Sequence, residues 1–229
     1  MENKNLNLYF GFQSTLAMEE KDYLSDISEI KNMMSRSSQF ISLSGMSGVL
    51  AGIYALVGAF VADYILDGFV TSTRLTYSAG SYSSSIIYSD IVQTLIIIAI
   101  TVVILSVITG LMLSRAKAER HGETLWNNSA KRLVTNFAIP FVTGGVFALL
   151  LLKNEIYGLI APATMIFYGL ACVNASKYTL RDVRYLGITL VIVGLVAIEF
   201  RGYALQFWAF GFGICHIFYG LIMHFKYDR

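Results

Sequence analysis

Three ionisable side chains sit where this sequence offers little water: Asp63, Glu199 and His216, each inside a long apolar run. Burying a charge in such surroundings is costly, so each is a functional candidate until a partner explains it. About ten residues separate His216 from the nearer end of its run, roughly 15 Å at 1.5 Å per residue, which is the depth of a bilayer midplane. Tyr168, Thr164, Thr143 and Tyr54 lie at comparable depth and could each hydrogen-bond to it. Three kinds of chemistry are open to these groups: structural hydrogen bonding, a proton relay, or contact with a small molecule or ion. His216, Asp63, Glu199 and Tyr168 are the candidate contacts. Converging carboxylates would form a cation site on one side of the membrane; paired with Arg74 or Arg201 they would be interfacial acids only.

Catalysis has thinner support. The chain holds no His-Glu-x-x-His, no phosphate-binding glycine loop and no Gly-x-Ser-x-Gly. Zinc catalysis needs three protein ligands, and His224 follows His216 by eight residues, roughly 12 Å along a helix, too far to share one ion. The two cysteines, Cys172 and Cys215, make no disulfide framework and read as small apolar packing groups. No catalytic residue, metal ligand or cofactor is therefore assigned. An intramembrane hydrolase using His216 with a scattered Ser and Asp ranks third among the readings.

The elements that must position these residues are read from composition. Of the 229 residues 55% are hydrophobic and 14% charged, whereas a soluble domain carries about 25% charged residues. The net charge of +2 is too small to suggest a nucleic-acid partner. Apolar segments at 40–66, 91–113, 133–152, 156–176, 185–200 and 204–223 hold Asp63 and Glu199 as their only formal charges. Most approach the roughly 20 residues that cross a hydrocarbon core of about 30 Å, and their run length fits helices rather than barrel strands. The expected fold is an all-α membrane protein: a bundle of six transmembrane helices over 40–225, preceded by a cytoplasmic amphipathic helix. Of the 17 Lys and Arg, all but Arg74, Lys153 and Arg201 fall on one side of that threading. Basic residues stay cytoplasmic, so both termini, including the tail 226–229, should face the cytoplasm.

Packing signals are modest. Gly48 and Gly52, one turn apart in the first span, form a small-residue row suited to close helix contact, either within the chain or in a homo-oligomer. The second span is Ile, Val and Leu throughout and reads as lipid-facing. Pro140 and Pro162 should kink the third and fourth spans, because each removes a backbone donor. Asn136 and Asn174 fall at similar depth on those spans and should hydrogen-bond between helices. Phe210, Phe212 and Phe218 with Phe167 and Tyr168 either pack a core or line an apolar cavity.

Residues 1–17 read like a protease-site tag interrupted by other residues, or a disordered leader, with Met18 as a natural start; no function is drawn from them. Over 18–38, Tyr23, Ile27, Ile30 and Met34 make one apolar stripe, which would lie on the membrane surface or engage a cytoplasmic protein partner. The connection 67–90 reads as an exposed loop with some strand character near Leu75-Thr76-Tyr77. The basic connection 114–132 reads as a topology determinant attracted to anionic lipid.

The stretch Ile41-Ser42-Leu43-Ser44-Gly45-Met46-Ser47-Gly48, after Met33-Met34-Ser35-Arg36-Ser37-Ser38, resembles the opening of a family of uncharacterised bacterial inner-membrane proteins. That resemblance implies a bacterial polytopic protein and brings no activity with it. The expectation from the residues themselves is non-enzymatic binding or transport of a small molecule or ion. The lipid bilayer is the one partner required throughout. The alternative is a membrane-anchored sensor acting through 18–38.

Overall fold

The computed structural model describes residues 43–78, 84–120 and 126–227. The leader 1–17 and the amphipathic stripe of 18–38 lie outside the described residues. Those described are helical, with no strand among them. Six long helices occur: α1 (Gly45–Ser78), α2 (Ser84–Arg120), α3 (Asn128–Lys153), α4 (Ile160–Ala175), α5 (Arg181–Glu199) and α6 (Ala204–Tyr227). Short 3-10 turns at Tyr157–Leu159 and Ser176–Tyr178 extend α4 at both ends. Five of the helices, all but α5, are long and apolar enough to cross a membrane. In α5 the first turn carries Arg181, Asp182 and Arg184, and Glu199 ends the helix, so no sufficiently long uncharged window exists.

The expected loop over 67–90 is largely helix instead. α1 continues to Ser78 and α2 starts at Ser84. The stretch contains no proline, and once a helix is under way each further residue adds a hydrogen bond, so polar composition alone does not stop it. Pro162 also departs from expectation. It is the third residue of α4, in the first turn, where a backbone N–H has no intrahelical acceptor to lose. It therefore gives no reason for a kink, whereas Pro140 lies well inside α3.

The helices pack in an order unlike that of the chain: α2 against α1, α1 against α6, α6 against both α5 and α4, α5 against α4, and α4 against α3. α6 is the centre of the array and α2 and α3 its flanks. No residue in the most apolar stretch of α2 is buried, and Ile97, Ile100, Val103 and Val107 stay exposed. A soluble fold could not leave such a row in water; facing hydrocarbon it costs nothing.

Glycine seams hold the centre together. A Cβ on Gly48 would stand 3.2 Å from the Cα of Gly220, and one on Gly52 would stand 2.6 Å from the carbonyl oxygen of Gly213. The small-residue row of the first span is thus occupied by α6 of the same chain. A second seam joins α4 and α5, where Gly169 and Gly187 face each other reciprocally; a Cβ on either would meet the other's carbonyl oxygen at 2.6 Å. With backbones this close, van der Waals contact replaces the hydrophobic drive that lipid removes.

Turns between helices follow ordinary capping chemistry. Asn127 caps α3, its Oδ1 accepting from the N–H of Ala130 at 2.8 Å. At the other end the Ile156 N–H reaches Leu151 O and the Glu155 N–H reaches Leu152 O, a Schellman stop with Glu155 at φ 61°. Glycine normally takes that left-handed position.

Candidate functional site

α6 is not one continuous α-helix. Between Ala204–Trp208 and His216–Tyr227 it winds as a π-helix over Ala209–Cys215. Such turns are rare and concentrate at functional places. Gly211, Gly213 and Cys215 are buried within it. A Cβ on Gly213 would collide with Leu56 of α1, and one on Gly211 would meet Leu190 and Met165 at 3.0 Å. The glycines let the widened turn fit between α1 on one side and α4 with α5 on the other.

His216 follows directly and is buried. Its Nδ1 lies 3.1 Å from the carbonyl oxygen of Gly211, inside the π-helical turn. A carbonyl can only accept, so Nδ1 carries the proton and, in the neutral ring, Nε2 is an acceptor. The Tyr168 hydroxyl of α4 sits 3.0 Å from Nε2 and donates to it. Aromatic rings enclose the pair. Phe212 stacks on the imidazole at 5.7 Å and meets Tyr168 edge-on at 5.1 Å. From α3, Phe137 and Phe141 approach the Tyr168 ring at 5.6 and 6.4 Å.

The proline of α3 is tied into the same region. Pro140 cannot donate to the Asn136 carbonyl one turn back, and Asn174 of α4 supplies the missing donor, its Nδ2 lying 2.8 Å from that oxygen. Asn136 turns its own side-chain amide to the Arg132 carbonyl. The link between the two asparagines is thus side chain to backbone, and its cause is the proline.

The other sequence candidates do not join this cluster. Asp63 on α1 and Glu199 at the end of α5 are exposed, on helices that pack against α6 from different neighbours. The carboxylates do not converge with His216 into one cation site. Among the described residues no group of three His, Cys, Asp or Glu side chains gathers as a metal site. Among the described residues the partners of the two His216 nitrogens are the Gly211 carbonyl and the Tyr168 hydroxyl. Thr143 and Thr164 bond to carbonyls of their own helices, and Phe210 and Phe218 are exposed, so Phe212 is the ring of that set facing Tyr168.

Two polar contacts escape a reading by spans. Asp182, buried in the first turn of α5, pairs with Lys226 near the end of α6 at 3.1 Å. Thr189 of α5 donates to the Tyr185 carbonyl and accepts from the Tyr219 hydroxyl at 3.2 Å. The acid at a helix start and the base at a helix end were the available signal, since both suit the helix dipole.

Compared with known proteins, the chain matches no family model, no curated protein and no solved structure. The likeness at Ile41–Gly48 stands on those residues alone.

Proposed function

We propose that the chain is a six-span protein of the bacterial inner membrane, both termini cytoplasmic, that binds or moves a small molecule or ion at the Tyr168–His216 pair. Support for a sixth span comes from connectivity. α4 and α6 each have the length and composition of a span, and only Thr179-Leu180 and the turn at 200–203 join α5 to them. With 19 residues α5 reaches about 28 Å, so it can return between opposite faces. The orientation rests on the one-sided distribution of Lys and Arg.

The single observation behind the functional reading is a histidine buried beside a π-helical turn, its Nε2 held by a tyrosine hydroxyl from another helix. A group arriving at Nε2 must displace Tyr168. A proton does so by inversion: once Nε2 carries hydrogen it becomes a donor, Tyr168 can only accept from it, and the tyrosine hydrogen must turn to another acceptor. Binding is thereby coupled to the contact between α4 and α6. The pair needs no bond-making chemistry for this, and the reading is non-enzymatic.

The proton is the simplest probe. Protein reconstituted in liposomes, with an imposed potassium diffusion potential and an internal pH dye, should acidify faster than protein-free vesicles. Tyr168→Phe and His216→Phe should each bring the rate back to the vesicle background while remaining folded. Wild-type rates equal to empty vesicles would overturn the assignment of ion movement to this pair.

A further inference from the structure

We infer that His216 is a one-sided proton site: a proton enters and leaves the ring through Nε2, on the side of Tyr168, while the Nδ1 side, closed by the Gly211 carbonyl of the π-helical turn, passes none. The closure starts from the winding of α6. In an α-helix, residues five apart stand about 140° apart around the axis, at about 100° per residue. Winding of the π type, whose hydrogen bonds run from i to i+5, brings such residues one above the other. Gly211 and His216 are five apart across this turn, and the imidazole Nδ1 lies 3.1 Å from the glycine carbonyl oxygen. The His216 backbone N–H turns to the Gly213 carbonyl, and the side chain meets that of Gly211.

An amide carbonyl accepts a hydrogen bond but has no proton of its own to hand on. Gly211 is buried, and a Cβ there would meet Leu190 and Met165 at 3.0 Å, two side chains that are themselves fully buried. The imidazole cannot swing to offer Nδ1 elsewhere, because it is buried and stacked on Phe212, with the Tyr168 ring 5.4 Å away. A proton taken up at Nε2 gives an imidazolium with hydrogen on both nitrogens. Loss from Nε2 restores the starting ring. Loss from Nδ1, the step that would make the imidazole a link in a wire, needs a proton acceptor that the Gly211 carbonyl is not. A proton that crosses the membrane by way of this pair must leave by the side it came from, so α4 and α6 have to shift against each other between uptake and release. That shift rests on the reading of the pair as an ion site; the closed Nδ1 side does not.

The test follows the Nδ1 hydrogen during turnover. Full-length protein with isotope-labelled histidine rings is reconstituted in liposomes and driven by a potassium diffusion potential in heavy water. Solid-state NMR reads the ring nitrogens while an internal pH dye counts the flux. His216→Asn, which keeps a side-chain donor beside Gly211 but has no Nε2, identifies the His216 signals. The Nδ1–H signal of His216 should outlast the ring N–H of His224, in the last turn of the same helix, by about a hundredfold, as for a group reached only through local opening. It should also persist through many turnovers of wild-type flux. Tyr168→Phe should leave its lifetime unchanged, because the Gly211 carbonyl and not the tyrosine closes that side. Deuterium appearing at Nδ1 in step with the flux would overturn the inference, as would exchange as fast as at His224 without any flux. Flux equal to that of empty vesicles, with a persistent Nδ1–H, would instead overturn the ion reading and the shift of α4 against α6, and would support the closed Nδ1 side.

Discussion

At the scale of single residues, the interior keeps its polar groups paired: among the described residues no buried side-chain nitrogen or oxygen lacks a partner. Pairing of this kind makes substitutions non-additive. Asn174→Leu leaves the Asn136 carbonyl without a donor, at a cost of about 1 kcal/mol, near the upper part of the range for membrane hydrogen bonds. Adding Pro140→Ala restores a backbone N–H to that same carbonyl, so the double variant should be more stable than Asn174→Leu alone in thermal unfolding in detergent. A double variant at least as unstable as the single would mean that the asparagine is not there for the proline. Tyr168→Phe should likewise cost about 1 kcal/mol through the orphaned Nε2 of His216, and much less in a His216→Leu background. Tyr168 was one of four partners that depth alone allowed; which one meets His216 depends on the rotation of α4 against α6, and that has no local signature.

Helices as elements obey local rules that the sequence states plainly, except where packing takes over. The positions of the apolar runs, the turn after Lys153 and the Asn127 cap are all local, and each is readable from residue types within a few positions. The π-helical turn is not. Ala209–Cys215 contains small residues and aromatics that would suit an ordinary α-helix, and its widening lies where Leu56, Met165 and Leu190 press on α6 from both sides. Glycine seams divide in the same way: Gly169 and Gly187 touch carbonyls, whereas Gly145 has nothing within 4 Å. Gly169→Ala should therefore destabilise by about 1–3 kcal/mol through overpacking. Gly145→Ala should be neutral or stabilise by up to about 1 kcal/mol, since alanine loses less entropy in a helix. Glu155→Gly should stabilise by about 1 kcal/mol, because glycine takes the left-handed position at the end of α3 without the Cβ penalty. Unfolding midpoints of the purified variants check all three, and equal effects at Gly169 and Gly145 would remove the seam.

For the whole molecule, the spatial order α2, α1, α6, α5, α4, α3 puts α6 at the centre, with the π-helical turn and His216 on it. That order escaped the sequence because small residues and apolar faces advertise a contact without naming the helix that answers it. The threading rests on α5, the helix whose terminal charges keep it outside the set of five. If it crosses, its two ends lie on opposite sides of the bilayer. Single cysteines at three exposed positions decide this in intact cells, with Cys172 and Cys215 replaced by alanine and a membrane-impermeant maleimide as reagent. Asn154→Cys and Gly202→Cys should label from outside, and Lys177→Cys only after the membrane is opened. Labelling of Lys177→Cys and Gly202→Cys from the same side would contradict the six-span account.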